Sequence, residues 1–238
     1  MSIIGRVESL WRYPVKSMRG EALETARVGS GGVFGDRIFA FQSSDRPATF
    51  PYLTARTQKA MLRYRPHFRP ADLTVDVETP DGGTLAIDDP ALIRRLGNGL
   101  RESPIITLLR SVDAMTDCRP ISLISLQTVH QIGDELKMPL DPRRFRANIY
   151  LDLAEAGGVG FGEDALVGRT VRLGSQVTLT ILERDPRCRM ISLDPDSGES
   201  TPAILEKVVR DHGGAAGIYA SVLAEGILHR GDTIELLD

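Results

Sequence analysis

One cysteine stands in a chemically unusual setting, in the stretch "ERDPRCRMISLDPDSGE" at residues 183–199. Cys188 lies between Arg187 and Arg189 and is one of only two cysteines in the chain. Adjacent positive charge favours a thiolate, which can bind a soft metal or act as a nucleophile. The alternative is a small, buried, inert cysteine. If the segment is extended, both arginines point to the face opposite Cys188 and do not share its pocket.

Cationic side chains also recur near the ends of apolar segments. The relevant residues are Lys16 and Ser17 in "YPVKS", Arg37 in "GDRIFAF", Arg56 in "LTARTQ", and Arg143, Arg144, Arg146 and Asn148 in "DPRRFRANIYLD". Arginine presents a planar fork of donors that matches phosphate oxygens, and lysine supplies a point charge. Each residue taken singly is compatible with a solvated surface, but together they predict an anion site.

Several other kinds of site are not supported. The cysteines and histidines are scattered, without a CxxC or HExxH spacing, so we expect no zinc site. No GxxxxGK[ST] phosphate loop is present. The "DPDSGE" segment lacks the third acid and the distal glutamate of a calcium loop, and its composition predicts a surface turn. Cys118 carries no signal beyond the adjacent Arg119, and we expect it to be structural.

Composition limits the class of protein. The chain has 238 residues, 42% of them hydrophobic, and a formal net charge of −3. These values are ordinary for a globular protein and do not indicate nucleic-acid binding. Two cysteines fit a reducing compartment. No secretory signal and no apolar stretch of about 20 residues is apparent, so we expect a cytoplasmic protein that does not enter a membrane.

The elements that must position these side chains are mostly short strands. Apolar alternation predicts strands at 3–10, 33–42, 73–78, 84–87, 105–110, 147–153, 170–173, 177–183, 217–223 and 232–237. The "TPDGGTLAI" segment and Gly174-Ser175 predict hairpin turns. Three helices are predicted, at 90–100, 126–137 after the cap Ser125, and 202–211. This pattern favours an α+β fold that is mainly β and barrel-like, with a boundary near residues 101–120.

In order along the chain, "YPVKS", "GDR", "LTAR", "RFRAN" and the cysteine of "RCRMISLDPDSGE" resemble the MOSC family with its N-terminal β-barrel domain. This group includes the mitochondrial amidoxime reducing component and its bacterial relatives. The resemblance implies an N-terminal domain over residues 1–100 and a MOSC β-barrel domain over 101–238, with a few peripheral helices. Two departures are Pro186, where relatives carry serine, and Ala147, where proline is usual.

The resemblance also implies a molybdenum cofactor, in which a molybdopterin holds the metal. Cys188 would ligate molybdenum and would be the catalytic residue. The implied cofactor-binding residues are Lys16, Ser17, Arg37, Arg56, Arg146, Asn148 and Tyr219, the last lying in "GIYASV". Pyridoxal phosphate binding is a further term associated with the family as a whole.

The first functional hypothesis is an oxidoreductase that reduces N-oxygenated small molecules such as hydroxylamines and amidoximes. Some relatives carry a fused [2Fe–2S] domain, which needs about four cysteines. With two, we expect the electrons to come from a separate protein, either a ferredoxin or a cytochrome b5-like carrier with its reductase. A second hypothesis is a non-catalytic carrier of the cofactor or of sulfur. A third is a cysteine hydrolase with His130 or His212 as the base.

Overall fold

Seven strands form a closed barrel in this computed structural model, which describes residues 2–153 and 158–238. In spatial order they are β11 (Ile149–Asp152), β10 (Ile121–Ser125), β14 (Ala215–Ala224), β13 (Val177–Pro186), β12 (Thr170–Leu173), β16 (Thr233–Leu236) and β1 (Ser2–Arg12). Pairing of β1 with β11 closes the barrel. Only β10 and β11 pair in parallel, and the other barrel pairs are antiparallel.

The barrel interior is filled by apolar side chains at alternate positions of its strands. In β12 and in the first half of β13, buried residues alternate with partly exposed ones, as expected for a half-buried strand. Strand β10 is buried at every position, because helices α2 (Leu126–Leu136) and α3 (Ala203–His212) contribute to a second apolar cluster outside the barrel. The barrel wall beside the helices is therefore enclosed on both faces.

Four shorter strands, β2 (Glu21–Leu23), β3 (Thr25–Gly29), β4 (Gly32–Val33) and β15 (Gly226–His229), add apolar side chains to the barrel core. A third apolar core lies beside the barrel and receives side chains from β5 (Phe39–Ser43), β6 (Arg65–Arg69), β7 (Thr74–Glu78), β8 (Thr84–Ala86), α1 (Pro90–Gly97) and β9 (Ile106–Arg110). This core contains Val15, Met18 and Phe39 together with Leu193, which comes from far along the chain. The segment that follows Cys188 is thus anchored among N-terminal side chains.

All three predicted helices are present, with ends that differ by a few residues. The Ser125 hydroxyl accepts a hydrogen bond from the main-chain N of Thr128 at 3.1 Å, so the predicted cap of α2 is confirmed. Helix α3 ends at Gly213, whose φ of 65° is the left-handed conformation typical of a helix end. Among the described residues, no helix has both the length and the apolar character needed to cross a membrane.

The prediction of one strand over 33–42 is wrong. The chain turns between β4 and β5, because Gly35 has a φ of 82° and Arg37 a φ of 48°. The Asp36 carboxylate fixes this turn by accepting a hydrogen bond from the main-chain N of Tyr13 at 2.7 Å. Strands β2, β3, β6, β10 and β15 were not predicted from the sequence. The α+β class, mainly β with a barrel and peripheral helices, is confirmed.

Candidate functional site

A cleft with an empty volume of about 870 Å³ opens where the barrel meets the N-terminal core. Its walls come from the loop after β1, the turn before β5, the segment before β10, the segment before β11, and the end of β13. All eight residues singled out as site residues line it, namely Lys16, Ser17, Arg37, Arg56, Arg146, Asn148, Cys188 and Tyr219. Residues from both ends of the chain therefore converge on one space.

Three of these residues adopt a left-handed backbone conformation that residues other than glycine rarely take. The φ angles are 67° for Ser17, 48° for Arg37 and 53° for Arg146. Each such residue costs of order 1 kcal/mol and persists only where surrounding contacts hold it. Strained residues of this kind cluster at functional sites. The backbone geometry is therefore an indication of a functional site that does not depend on the side-chain chemistry of the cleft.

Lys16 is held by contacts at its ammonium group. Nζ donates to the main-chain oxygen of Met115 at 2.8 Å and forms an ion pair with Asp117. It also lies 4.8 Å from the centre of the Tyr52 ring. Burial lowers the pKa of Lys16, and the nearby arginines lower it further, whereas Asp117 opposes both effects.

Arg37 and Arg146 share one aromatic ring. Their guanidinium carbons lie 4.8 and 4.3 Å from the centre of the Tyr13 ring. Arg37 is paired with the buried carboxylate of Asp36, whereas Arg146 donates to the main-chain oxygen of Met18 at 2.8 Å. Burial lowers the pKa of Arg146 to about 10, and Arg37 adds to that effect. Its Nη2 is buried and has no hydrogen-bond partner among the described residues.

The cleft is strongly electropositive in a protein whose net charge is −3. Seven cationic side chains and two carboxylates line it, so positive charges are five in excess. Of the cations named from the sequence, Arg143 does not line the cleft, whereas the other five do: Lys16, Arg37, Arg56, Arg144 and Arg146. The remaining two are Arg119 and Arg187. Low-dielectric walls lined by one sign of charge concentrate ligands of the opposite sign. The arrangement is suited to an anion with several charged oxygens.

Cys188 lies two residues after the end of β13, in extended conformation with φ −113° and ψ 179°. Its thiol is free and its side chain is partly exposed. The expectation that both neighbouring arginines avoid its pocket is wrong for Arg187, which lines the same cleft. The strand ends at Pro186, so strict alternation stops before the cysteine. Arg189 is exposed and donates to the main-chain oxygen of Arg56.

Asn148 lines the cleft, but its side-chain amide is already hydrogen-bonded to other residues of the protein. Nδ2 donates to the main-chain oxygen of Trp11 at 3.3 Å, and Oδ1 accepts from the main-chain N of Ser122 at 3.3 Å. These bonds connect β1 and β10 beside the start of β11. Asn148 therefore supports the cleft wall, and its contact with a ligand stays a prediction.

The lining residues that were not predicted to belong to a site include Asp117, Cys118, Ser122 and Asp185. Cys118, expected to be structural, is exposed. Asp185 is 1% exposed, accepts from the Ser122 hydroxyl at 2.8 Å and pairs with Arg187 at 2.8 Å. Burial raises the pKa of Asp185, while Arg187 and Ser122 oppose the rise. Asp185 comes three residues before Cys188, which was the only sequence signal available for it.

The histidines do not support a cysteine hydrolase. Neither His130 nor His212 lines the cleft. His212 stacks on Phe161 at 4.0 Å and contacts Glu135 through Nε2 at 2.8 Å.

The predicted turn at "DPDSG" is confirmed, since the Asp194 carboxylate accepts from the main-chain N of Ser197 at 2.9 Å and main-chain bonds close the loop.

Fold and site together define a β-barrel protein with a cationic cleft that two cysteines help to line. The model of the MOSC domain matches residues 111–235, and the model of the MOSC N-terminal beta barrel domain matches residues 4–96. The first covers more than half of the chain. The chain therefore belongs to the MOSC family.

Solved structures are similar at low identity. The YuaD protein from Bacillus subtilis is 14% identical with a TM-score of 0.51, over 98% of this chain and 94% of that one. YiiM from Geobacillus stearothermophilus is 17% identical with a TM-score of 0.39, over 50% of this chain and 55% of that one. YiiM from Escherichia coli has 17% identity and a TM-score of 0.37, over the same shares. The likeness to YuaD is one of fold. No curated protein matches the sequence.

Proposed function

We propose that the cleft binds a molybdenum cofactor and that the protein reduces N-oxygenated small molecules such as hydroxylamines and amidoximes. One observation carries the proposal. The partly exposed thiol of Cys188 shares one cleft with seven cations that come from distant parts of the sequence. A phosphate-bearing cofactor requires the cations, and a soft metal requires the thiolate.

The donor set fits a metal that arrives with most of its ligands. Among the residues described, no group of three or more histidines, cysteines, aspartates or glutamates could hold a metal ion. Cys188 would then be a single protein ligand, and the sulfur-bearing pterin would supply further donors. The buried, unpartnered Nη2 of Arg146 is a second fit, because an anion nearby would satisfy it.

The cations are assigned to the cofactor's anionic end. Lys16, Arg37 and Arg146 would neutralise and orient it, and Arg56 would contribute from a partly exposed position beside Phe50. Their main-chain and aromatic contacts fix these groups before a ligand enters, which reduces the entropy lost on binding. Ser17 and Tyr219 would add hydroxyl contacts at the walls.

When bound, the cofactor supplies the two-electron chemistry by which the N–O bond is reduced. The protein's contribution is to bind the substrate beside Cys188 and to supply polar groups there. The proposed source of the electrons is a carrier protein, because the two cysteines of these 238 residues are fewer than the about four that an iron–sulfur cluster needs.

Metal content tests the ligand role of Cys188. Wild type, Cys188→Ala and Cys118→Ala are produced in cells that make the cofactor, and molybdenum per chain is measured. We expect wild type and Cys118→Ala to retain molybdenum and Cys188→Ala to lose most of it. Cys118 is a matched control because it lies in the same cleft. Equal molybdenum in both variants would refute the ligand role.

Turnover separates the enzyme from a carrier. The loaded protein is given benzamidoxime and an artificial electron donor, and benzamidine is measured. We expect steady formation of benzamidine in wild type. Bound molybdenum without reduction of benzamidoxime or hydroxylaminopurine would favour the non-catalytic carrier instead.

A further inference from the structure

The residue just before Cys188 is fixed by its own side chain. Arg187 donates from Nη1 to the main-chain oxygen of Phe145 at 2.9 Å and from Nε to the main-chain oxygen of Ala216 at 2.6 Å. Its guanidinium group also pairs with the carboxylate of Asp185 at 2.8 Å, and the side chain is 7% exposed. Because a buried donor loses its hydrogen bonds if it moves, the backbone that leads into Cys188 is held in one place.

The chain after Cys188 is fixed by a second buried arginine. Arg144 donates from Nη1 to the main-chain oxygen of Ser192 at 3.2 Å and from Nη2 to Oδ2 of Asp194 at 3.0 Å. Oδ1 of Asp194 accepts from the main-chain N of Ser197 at 2.9 Å. The turn of the "DPDSG" motif therefore presents its other carboxylate oxygen to Arg144.

The two arginines join the same two segments in opposite directions. Arg144 and Phe145 belong to the helical turn Pro142–Phe145, which continues directly into Arg146. The side chain of Arg144 reaches the chain after Cys188, whereas the main chain of Phe145 receives the side chain that comes just before it. Cys188 and Arg146, which both line the cleft, are therefore held at a fixed separation.

A fixed separation matters for a ligand that uses both ends of the cleft. The proposed cofactor would place its metal at Cys188 and its anionic oxygens near Arg146, and these residues are far apart in the sequence. Displacement by about 1 Å is enough to weaken contacts of this kind severely. The groups that hold the two segments together therefore decide whether both contacts form at once.

We propose that Arg144 and Arg187 are positioning residues that hold the Cys188 thiol in place relative to the cations of the cleft. The "DPDSG" turn is part of the same arrangement, because Asp194 receives Arg144. This inference rests on the proposed function for its ligand, whereas the contacts that carry it lie within the protein. Arg144 acts on the metal end of the ligand through Cys188 and not by touching the ligand.

The sulfur neighbours of molybdenum test the role of Arg144. Wild type, Arg144→Gln and Cys188→Ala are produced in cells that make the cofactor, and X-ray absorption gives the number of sulfur atoms bound to the molybdenum that each protein retains. Glutamine lacks the fork that joins Ser192 to Asp194, so we expect Arg144→Gln to lose most of the sulfur that Cys188→Ala lacks. A variant that is merely less stable would yield less loaded protein, but its molybdenum would keep every sulfur neighbour.

Arg119→Gln is the matched control. It removes the same charge from the same cleft, and the partner of Arg119 is the exposed carboxylate of Glu183. We expect it to keep the wild-type number of sulfur neighbours. A wild-type number in Arg144→Gln, with or without loss of pterin, would overturn the inference, as would an equal loss in Arg119→Gln.

Asp194→Asn decides the question if Arg144→Gln is not recovered folded. Asp194 lies outside the lining of the cleft. The main-chain donors of the turn retain the amide oxygen of the new side chain, so its NH2 faces Arg144 and that contact is lost. Loss of the Cys188 sulfur in this variant supports the inference, and retention of that sulfur overturns it.

Wild type without molybdenum would contradict the proposed function, and a second measurement would then test the positioning role alone. A nitroxide spin label is attached to Cys188 of the full-length protein in a Cys118→Ser background, and its mobility is read from the line shape. We expect the label to become at least about threefold more mobile in Arg144→Gln and to stay unchanged in Arg119→Gln. Equal mobility in Arg144→Gln and its parent would overturn the inference.

Discussion

Arg37 donates a hydrogen bond from Nη2 to the main-chain oxygen of Arg146 at 3.0 Å, across 109 positions of the sequence. Both residues have left-handed backbones, and both guanidinium groups contact the ring of Tyr13. Like charges at this proximity repel each other unless an anion lies beside each of them. Asp36 pairs with Arg37, whereas Nη2 of Arg146 has no partner among the described residues. The strained backbone at these two residues and the place expected for an anionic ligand therefore coincide in the cleft.

Relief of the backbone strain at Ser17 should raise the stability of the fold and lower the binding of the cofactor. Ser17→Gly removes the cost of a φ of 67° and should raise the free energy of unfolding by about 0.5–1 kcal/mol, measured in urea. We expect cofactor retention to fall, because the hydroxyl at the cleft wall is lost. Lys137→Gly is the control, since Lys137 has a φ of 55° at the exposed end of α2. It should stabilise similarly and leave molybdenum content unchanged. A loss of stability in Ser17→Gly would contradict the strain assignment.

Removal of the buried partner of Arg37 should be costly. Asp36→Asn leaves the guanidinium without a counter-charge and should lower the free energy of unfolding by about 3 kcal/mol. Asp45→Asn provides the comparison, because Asp45 pairs with Arg46 at a partly exposed position and should cost about 1 kcal/mol or less. Urea unfolding measures both. Similar losses in the two variants would show that the Asp36–Arg37 pair contributes no more than a surface pair.

Arg56 should matter for the ligand and little for the fold. Its side chain contacts Thr54 at 3.4 Å and the Phe50 ring at 4.8 Å and is partly exposed. We expect Arg56→Ala to change the free energy of unfolding by less than about 1 kcal/mol and to lower the pterin retained per chain severalfold. Arg63→Ala removes an exposed arginine outside the cleft and should retain wild-type pterin. Equal retention in both variants would exclude Arg56 from the cofactor site.

Cys118 should be a slow nucleophile at neutral pH. Desolvation in the cleft raises the pKa of its thiol, and Asp117, Asp185 and Glu183 act in the same direction. Because the thiolate reacts, alkylation in a Cys188→Ser background should reach half its maximal rate at a higher pH than in the same chain unfolded in urea. Asp117→Asn should move that midpoint downward. A folded-state midpoint at or below the unfolded one would contradict this electrostatic assignment.

Periodicity alone predicted most of the fold. Strands such as β12 and helices such as α2 carry local signals, namely alternation and the cap at Ser125, and these signals do not depend on distant residues. Local signals failed at residues 33–42. There the turn depends on Asp36, whose carboxylate binds the main chain of Tyr13 23 positions away. Likewise, no local sequence pattern predicts the pairing of β1 with β11 that closes the barrel.

For the site, the sequence by itself determined the chemistry: one cysteine in a cationic setting, and cations that follow apolar strands. Only the tertiary structure decided which groups meet. Alternation placed Arg187 away from Cys188, but the strand ends at Pro186 and Arg187 lines the cleft. Asp185 carried no signal of its own, because its position depends on a register shift between β13 and β14. Residue types set what a site can do, whereas long-range pairing and local irregularities of the backbone set which side chains share it.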